Sequence, residues 1–373
     1  MKRTFLLIAS IVFVSAGCNT PDSNLVNCEF DQQAMLTNVS ENIIQPRFEN
    51  FSLSLQLLES SINAFNSNPT AGLLGEVRVY YRASYLAYQE CSPFAFGPGL
   101  VNGLPFRERF NTFPTNVSTI EDNIATGTSV SVSGKSVVGF PALEYLIYGD
   151  QNLSEQDLLN QFVTSAEADN RKTYLLELAS EMKETTAQIV QDWETYASVF
   201  ENNLGTAEGS SIALVVNEFN FDFETIKNFK FKIPLGKFNG GVVIPESVEG
   251  YYSGFSAELA KRQLVGLSEL FQGVGSNGAD NLGLHDYLLC LRPLTDEEDN
   301  QGVLALADDI KERFMSIKEA LDEIPDPMSA TLISNKPLVD EAHDLMQMTV
   351  PSIKHEMTSA MGVQISYQDN DGD

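Results

Sequence analysis

A chain of 373 residues has room for two domains or one large one. With 43% apolar and 20% charged residues it is expected to be globular. Its 23 basic and 51 acidic side chains leave a net charge of −28, which argues against nucleic acid and anionic lipid as partners and for attraction to cations.

Chain order begins with a targeting pattern. Lys2 and Arg3 precede the apolar run FLLIASIVFV, and SAGC brings small residues up to Cys18. This is the pattern of a bacterial lipoprotein signal, in which Cys18 is acylated and residues 1–17 are removed. Ser15 stands where Leu or Val is usual. Residues 18–27 then read as a polar tether. The expectation is a protein lipid-anchored in the bacterial cell envelope, to the outer or inner membrane, periplasmic or surface-exposed. No later stretch approaches the ~20 apolar residues of a membrane span.

Helices are predicted over about 28–66 and 73–88, followed by the loop CSPFAFGPGLVNGLPF. Residues 126–138 read as a small-residue linker. Leu175, Leu178, Met182, Ile189, Trp193, Tyr196 and Phe200 recur at helical steps and predict a long amphipathic helix over 172–200. A break at ENNLGTAEGSS divides the chain near residue 205. Beyond it lie a helix to about Ile226, the irregular FKFKIPLGKFNGGVVIP, a helix opened by Pro245, the helix LGLHDYLLCL, and helices within 296–321 and 335–361. Strand signal is nearly absent, so the class is all-α. EYLI at Glu144–Ile147 and DYLL at Asp286–Leu289 echo one another, which suggests two tandem, related helical-bundle halves, 28–204 and 205–362, with 363–373 an acidic tail.

Three cysteines follow the tether: Cys28, Cys91 and Cys290. One pair plus one leftover is the simplest arithmetic. Cys28 opens the first helix and Cys91 follows the second, so a helical hairpin predicts a Cys28–Cys91 disulfide. No CxxC spacing suggests a cysteine metal site.

The stretch GFPALEYLIYG carries the chemical question. A His three residues before a Glu would put two metal ligands on one helical face. Here Glu144 has Pro141 in that place, and none of the three histidines lies in such a pair. Glu144 sits among Leu143, Leu146 and Ile147, and a buried carboxylate needs a cation, a donor or a proton. Glu246 and Glu249 form a second acidic group, with Tyr252 and Ser253 close behind.

CSPFAFGPG, GFPALEYLIYG, KIPLGK, PESVEGYYSGFSAELA and GLHDYLL, in this order along the chain, resemble the imelysin-like proteins, and the resemblance runs over about residues 28–360. That resemblance implies an all-α fold of two bundle halves with a functional cleft between them. Members are secreted or lipid-anchored bacterial proteins, often tied to iron uptake, and some are called metallopeptidases. The signature Gly-x-His-x-x-Glu is matched by Gly139 and Glu144 but broken by Pro141, while Glu249, Tyr252 and Ser253 match the second-half motif. The expected function is a non-catalytic, lipid-anchored binding protein. Its ligand site would comprise Gly139, Pro141, Glu144, Glu246, Glu249, Tyr252 and Ser253. Glu144 and Glu249 would be the candidates for iron or another hard cation, zinc being disfavoured without imidazole. An iron-uptake receptor is the expected partner. The rival expectations are a metallopeptidase with carboxylates in place of the missing His, and a partner-docking lipoprotein with no small ligand.

Overall fold

The computed structural model describes residues 28–150, 152–291 and 305–367. Cys18 and residues 368–373 of the expected acidic tail lie outside them. The chain is all-α, its only paired strands being Leu100–Val101 and Leu104–Pro105 among the described residues.

Helix α1 (Gln32–Asn38) runs through a π-helical segment, Val39–Ile44, into α2 (Gln45–Ser67). Along α2 the buried residues Phe48, Phe51, Leu55, Leu58, Ile62 and Phe65 recur every three or four positions, one continuous apolar stripe. Each such side chain, fully buried, contributes roughly 1.5–3 kcal/mol. Asn68 ends the helix, and Thr70 caps α3 (Ala71–Cys91), which folds back along α2. Short α4 (Arg107–Phe110) and α5 (Val117–Thr126) lead through two 3₁₀ turns to α6 (Gly139–Tyr148). Next come α7 (Glu155–Val163) and the long α8 (Ala168–Asn202), which packs on α2, α6 and α7.

After the break at 203–210 the chain continues as α9 (Ser211–Thr225), a π-helical segment Ile226–Lys232, and α10 (Ser256–Gln272). Then follow α11 (Leu284–Cys290), α12 (Leu306–Asp322), α13 (Met328–Ser334), α14 (Lys336–Val350) and short α15 (Thr358–Met361). Helix α10 packs against both α3 and α12, so one apolar core runs through both parts of the chain. Buried Arg47 of α2 fastens them further. It donates to Glu269 Oε2 at 2.7 Å and to Gly266 O at 3.1 Å on α10, and to Glu90 O at 3.3 Å on α3.

Two expectations need correction. Pro245 opens only a 3₁₀ turn, Pro245–Ser247, and the next helix begins at Ser256, because Gly250 and Gly254 adopt positive φ between them. The disulfide joins Cys28 to Cys290, with Cα atoms 5.4 Å apart, and Cys91 is free and buried. The reason is helix length. Residues 28–67 span about 55 Å, whereas α3 returns only about 30 Å and leaves Cys91 beside Arg47. The N-terminal end instead meets α11. Gln32 Nε2 donates to the Tyr287 hydroxyl at 3.1 Å, and the rings of Phe30 and Tyr287 lie 5.0 Å apart.

Candidate functional site

Glu144 projects from α6 with 2% of its surface exposed. Pro141 occupies the first turn of that helix, where its missing N–H interrupts no intrahelical bond. Gly139 starts it at φ +74°, where a Cβ would stand 2.2 Å from the Phe110 carbonyl oxygen, so only glycine fits. Phe140 stacks on Tyr85 at 4.3 Å and accepts from the Tyr81 hydroxyl at 3.3 Å. Gly139 and Pro141 thus shape and seat the helix, and Glu144 is its buried polar group.

The turn 249–254 meets Glu144 from the other part of the chain. The Ser253 amide donates to Glu144 Oε1 at 2.8 Å, and the Ser253 hydroxyl makes a short hydrogen bond to the same oxygen. A Cβ on Gly250 would come within 3.7 Å of that oxygen, so the backbone closes over it. Burial pushes the Glu144 carboxyl up to about 7, the bonds from Ser253 oppose that, and the charge of Glu249 adds to it. Around this point stand half-buried tyrosines: Tyr252 lies 5.5 Å from Tyr145 and 5.2 Å from Tyr251, centroid to centroid. Burial drives the Tyr252 and Tyr148 phenols up to about 12, so both stay protonated hydrogen-bonding groups.

Glu249 is 1% exposed and fully engaged. Its Oε1 accepts from Asn111 Nδ2 at 2.7 Å and from Gln89 Nε2 at 3.0 Å. The Tyr85 hydroxyl stands 3.2 Å away, but 2.7 Å from Asn111 Oδ1, the better place for its one proton. The Lys230 ammonium lies 2.6 Å from Glu249 Oε2 and donates to Gln89 Oε1 at 2.7 Å. Three separate segments, α3, the 111 loop and the π segment, therefore converge on the carboxylate carried by the 249 turn. Glu246 takes no part, being exposed on the 3₁₀ turn.

A metal ion is what the family resemblance implies, and these residues do not fit one. The charge of Glu249 is already met by a buried ammonium, and the Glu144 Oε1 lone pairs by Ser253. Among the described residues no group of three or more His, Cys, Asp or Glu is placed to hold a metal. The histidines are elsewhere: His285 pairs with Asp308 at 2.9 Å and His343 with Asp344 at 3.1 Å. The echo of α6 in α11 is also not chemical. Asp286 accepts from the Gly283 amide at 2.9 Å and caps its own helix.

Sequence reasoning missed Lys230, Gln89 and Asn111. The one local cue was FKF, a lysine between two phenylalanines, which marks a side chain that folding drags inward.

The fold is all-α, and in it Glu144 of α6 is held by Ser253 from the later part of the chain. The imelysin family (peptidase M75) matches residues 44–347, and the chain belongs to that family. It is similar in fold to a structure described as an iron-regulated protein A precursor from Parabacteroides distasonis ATCC 8503. That likeness has a TM-score of 0.72 at 16% identity and covers 88% of this chain and 95% of that one. An imelysin-like protein from Psychrobacter arcticum 273-4 is similar with a TM-score of 0.66 at 16% identity, covering 90% of this chain and 97% of its own. No curated protein matches the sequence.

Proposed function

We propose that this protein is a non-catalytic, envelope-anchored member of the imelysin family that serves iron uptake as a binding protein. The observation that carries the reading is the Lys230–Glu249 ion pair, 2.6 Å long and buried at both ends. An internal ammonium takes the place a metal cation would need, and Pro141 takes that of the histidine. A peptidase with substitute carboxylate ligands would require Lys230 to leave a buried partner, which is costly. The iron association is supported by the description of the Parabacteroides relative, and the anchor by the sequence around Cys18. The ligand is held at the tyrosine-lined seam over Glu144 by hydrogen bonds and ring contact, not by coordination to these carboxylates. Its delivery partner is an iron-uptake receptor at the membrane that carries the anchor.

The test combines elemental analysis of the purified protein, a peptidase assay, and growth of a deletion strain in chelated medium with wild-type or Cys18→Ala complementation. Slow growth restored only by the wild type, with no stoichiometric metal and no cleavage, is the expected result. A bound metal with peptide cleavage would reinstate the enzyme. Unimpaired growth would remove the role in iron uptake.

A further inference from the structure

A third buried carboxylate belongs to none of the contacts above. Asp222, on α9, is 1% exposed and lines a cavity of about 190 Å³ beside the Glu249 cluster, with which the cavity shares Lys230 and Asn111. Gln263 of α10, 2% exposed, lines the same space. Asp222 Oδ2 and Gln263 Oε1 are both buried acceptors without a hydrogen-bond donor. The Ser92 hydroxyl and the Gln263 amide lie close enough to Asp222 to oppose the effect of its burial, but the Ser92 proton goes to Gln89 O at 3.1 Å and Gln263 Nε2 spends one of its two protons on Ser92 Oγ at 3.2 Å. The three cations on the cavity wall have other carboxylates. Arg107 pairs with Glu218, Lys135 with Glu108 at 2.5 Å, and Lys230 with Glu249 at 2.6 Å.

Buried acceptors without donors are costly, the more so when one is charged. Two of them on one cavity wall specify what would relieve the cost, namely a group that brings N–H donors and positive charge. The rest of the wall is aromatic, with Tyr88, Phe113, Phe221 and Phe229 around the space. Volume limits the body of such a ligand. A cavity of about 150 Å³ accepts a benzene ring, whereas drug-sized ligands need roughly 300 Å³ or more. Entry is by the solvent-exposed Lys135–Glu108 pair, and the net charge of −28 raises the local concentration of cations.

We propose that this cavity binds a small organic amine, a single ring or short alkyl body held among the aromatic side chains with its ammonium donating to Asp222 Oδ2 and Gln263 Oε1. The proposal is independent of any role in iron uptake.

The experiment is calorimetric titration of the purified protein at pH 7.5 with phenethylamine, beside phenylacetate and 2-phenylethanol as anionic and neutral analogues of the same shape. The amine is expected to bind one to one, at least tenfold more tightly than either analogue. Asp222→Asn, which keeps the size of the side chain, should weaken it at least tenfold, and Gln263→Met several-fold, with urea midpoints showing both variants folded. Should one variant fail to fold, the other decides. Equal binding of the amine and the neutral analogue, or binding that a folded variant leaves unchanged, would overturn the proposal, the latter marking mere attraction to the acidic surface.

Discussion

Lys230 Nζ stands 2.6 Å from Glu249 Oε2 with both side chains about 1% exposed, so among the described residues each is the other's charged partner at contact distance. Burial alone would lower the lysine's affinity for its proton, and Glu249 is the main force holding the proton on. Breaking one side of such a pair leaves an uncompensated buried charge. Lys230→Met should therefore destabilise the protein by about 3–5 kcal/mol, and Lys230→Met with Glu249→Leu should recover most of that loss. Urea midpoints of the three proteins check it. A double variant no more stable than the single one would contradict the pairing.

The pH dependence follows from Glu144. Its folded carboxyl is raised from 4.5 to about 7 by burial, so the folded state holds a proton that the unfolded chain has released. Its contribution to stability is thus fully present below about 4.5, declines as pH rises, and is lost above about 7. The stability difference between wild type and Glu144→Gln should shift by up to about 3 kcal/mol between pH 4.5 and 7.5, the wild type losing ground with rising pH. Chemical denaturation at several pH values measures it, and a constant difference would sink the assignment.

Gly139→Ala offers a backbone test. The new Cβ would sit 2.2 Å from the Phe110 oxygen, and φ of +74° adds strain. The expected loss exceeds about 2 kcal/mol, more than the ordinary cost of an alanine at a surface glycine. A melting temperature within a degree of wild type would refute the close approach.

Pro141→His returns imidazole to the helix that carries Glu144. Pro141 is buried, so the larger ring should cost about 1–3 kcal/mol by overpacking. Zinc should bind that variant weakly while Lys230 holds Glu249, and more tightly once Lys230→Met is added. Calorimetry with zinc compares the two, and tight binding by the native chain would show that no site was lost.

The thiols give a chemical check. Cys91 is fully enclosed and burial raises its pKa well above that of a free thiol, so iodoacetamide should label it only after denaturation. Cys290→Ser should cost about 2–5 kcal/mol by freeing a long loop. Rapid labelling of Cys91 in native buffer would contradict its burial.

Much of the fold was legible because helical periodicity is written locally. The stripe on α2 and the run from Leu175 to Phe200 on α8 announce themselves in the spacing of apolar residues. Glu144 could be singled out by its apolar neighbours and Glu249 by the family motif, and both side chains are buried. Their partners could not be singled out. Gln89, Asn111 and Lys230 come from three distant segments, and no local spacing encodes which amide or ammonium will face which carboxylate. The disulfide failed for a related reason. Counting helices foretells a hairpin, but only their relative lengths say that Cys91 stops short of the end where Cys28 lies.

That disulfide also determines how the molecule bears load. Cys28 is the first described residue, and it is covalently joined to Cys290 at the end of α11, on the far side of the chain's midpoint. A pull delivered through the N-terminus is therefore divided at once between α1 and α11. Peeling α1 and α2 away from the core, turn by turn, is barred while the bond is intact, since α11 would have to come with them. A chain so built resists unzipping from its N-terminal end, and reduction would turn that same end into its weakest point.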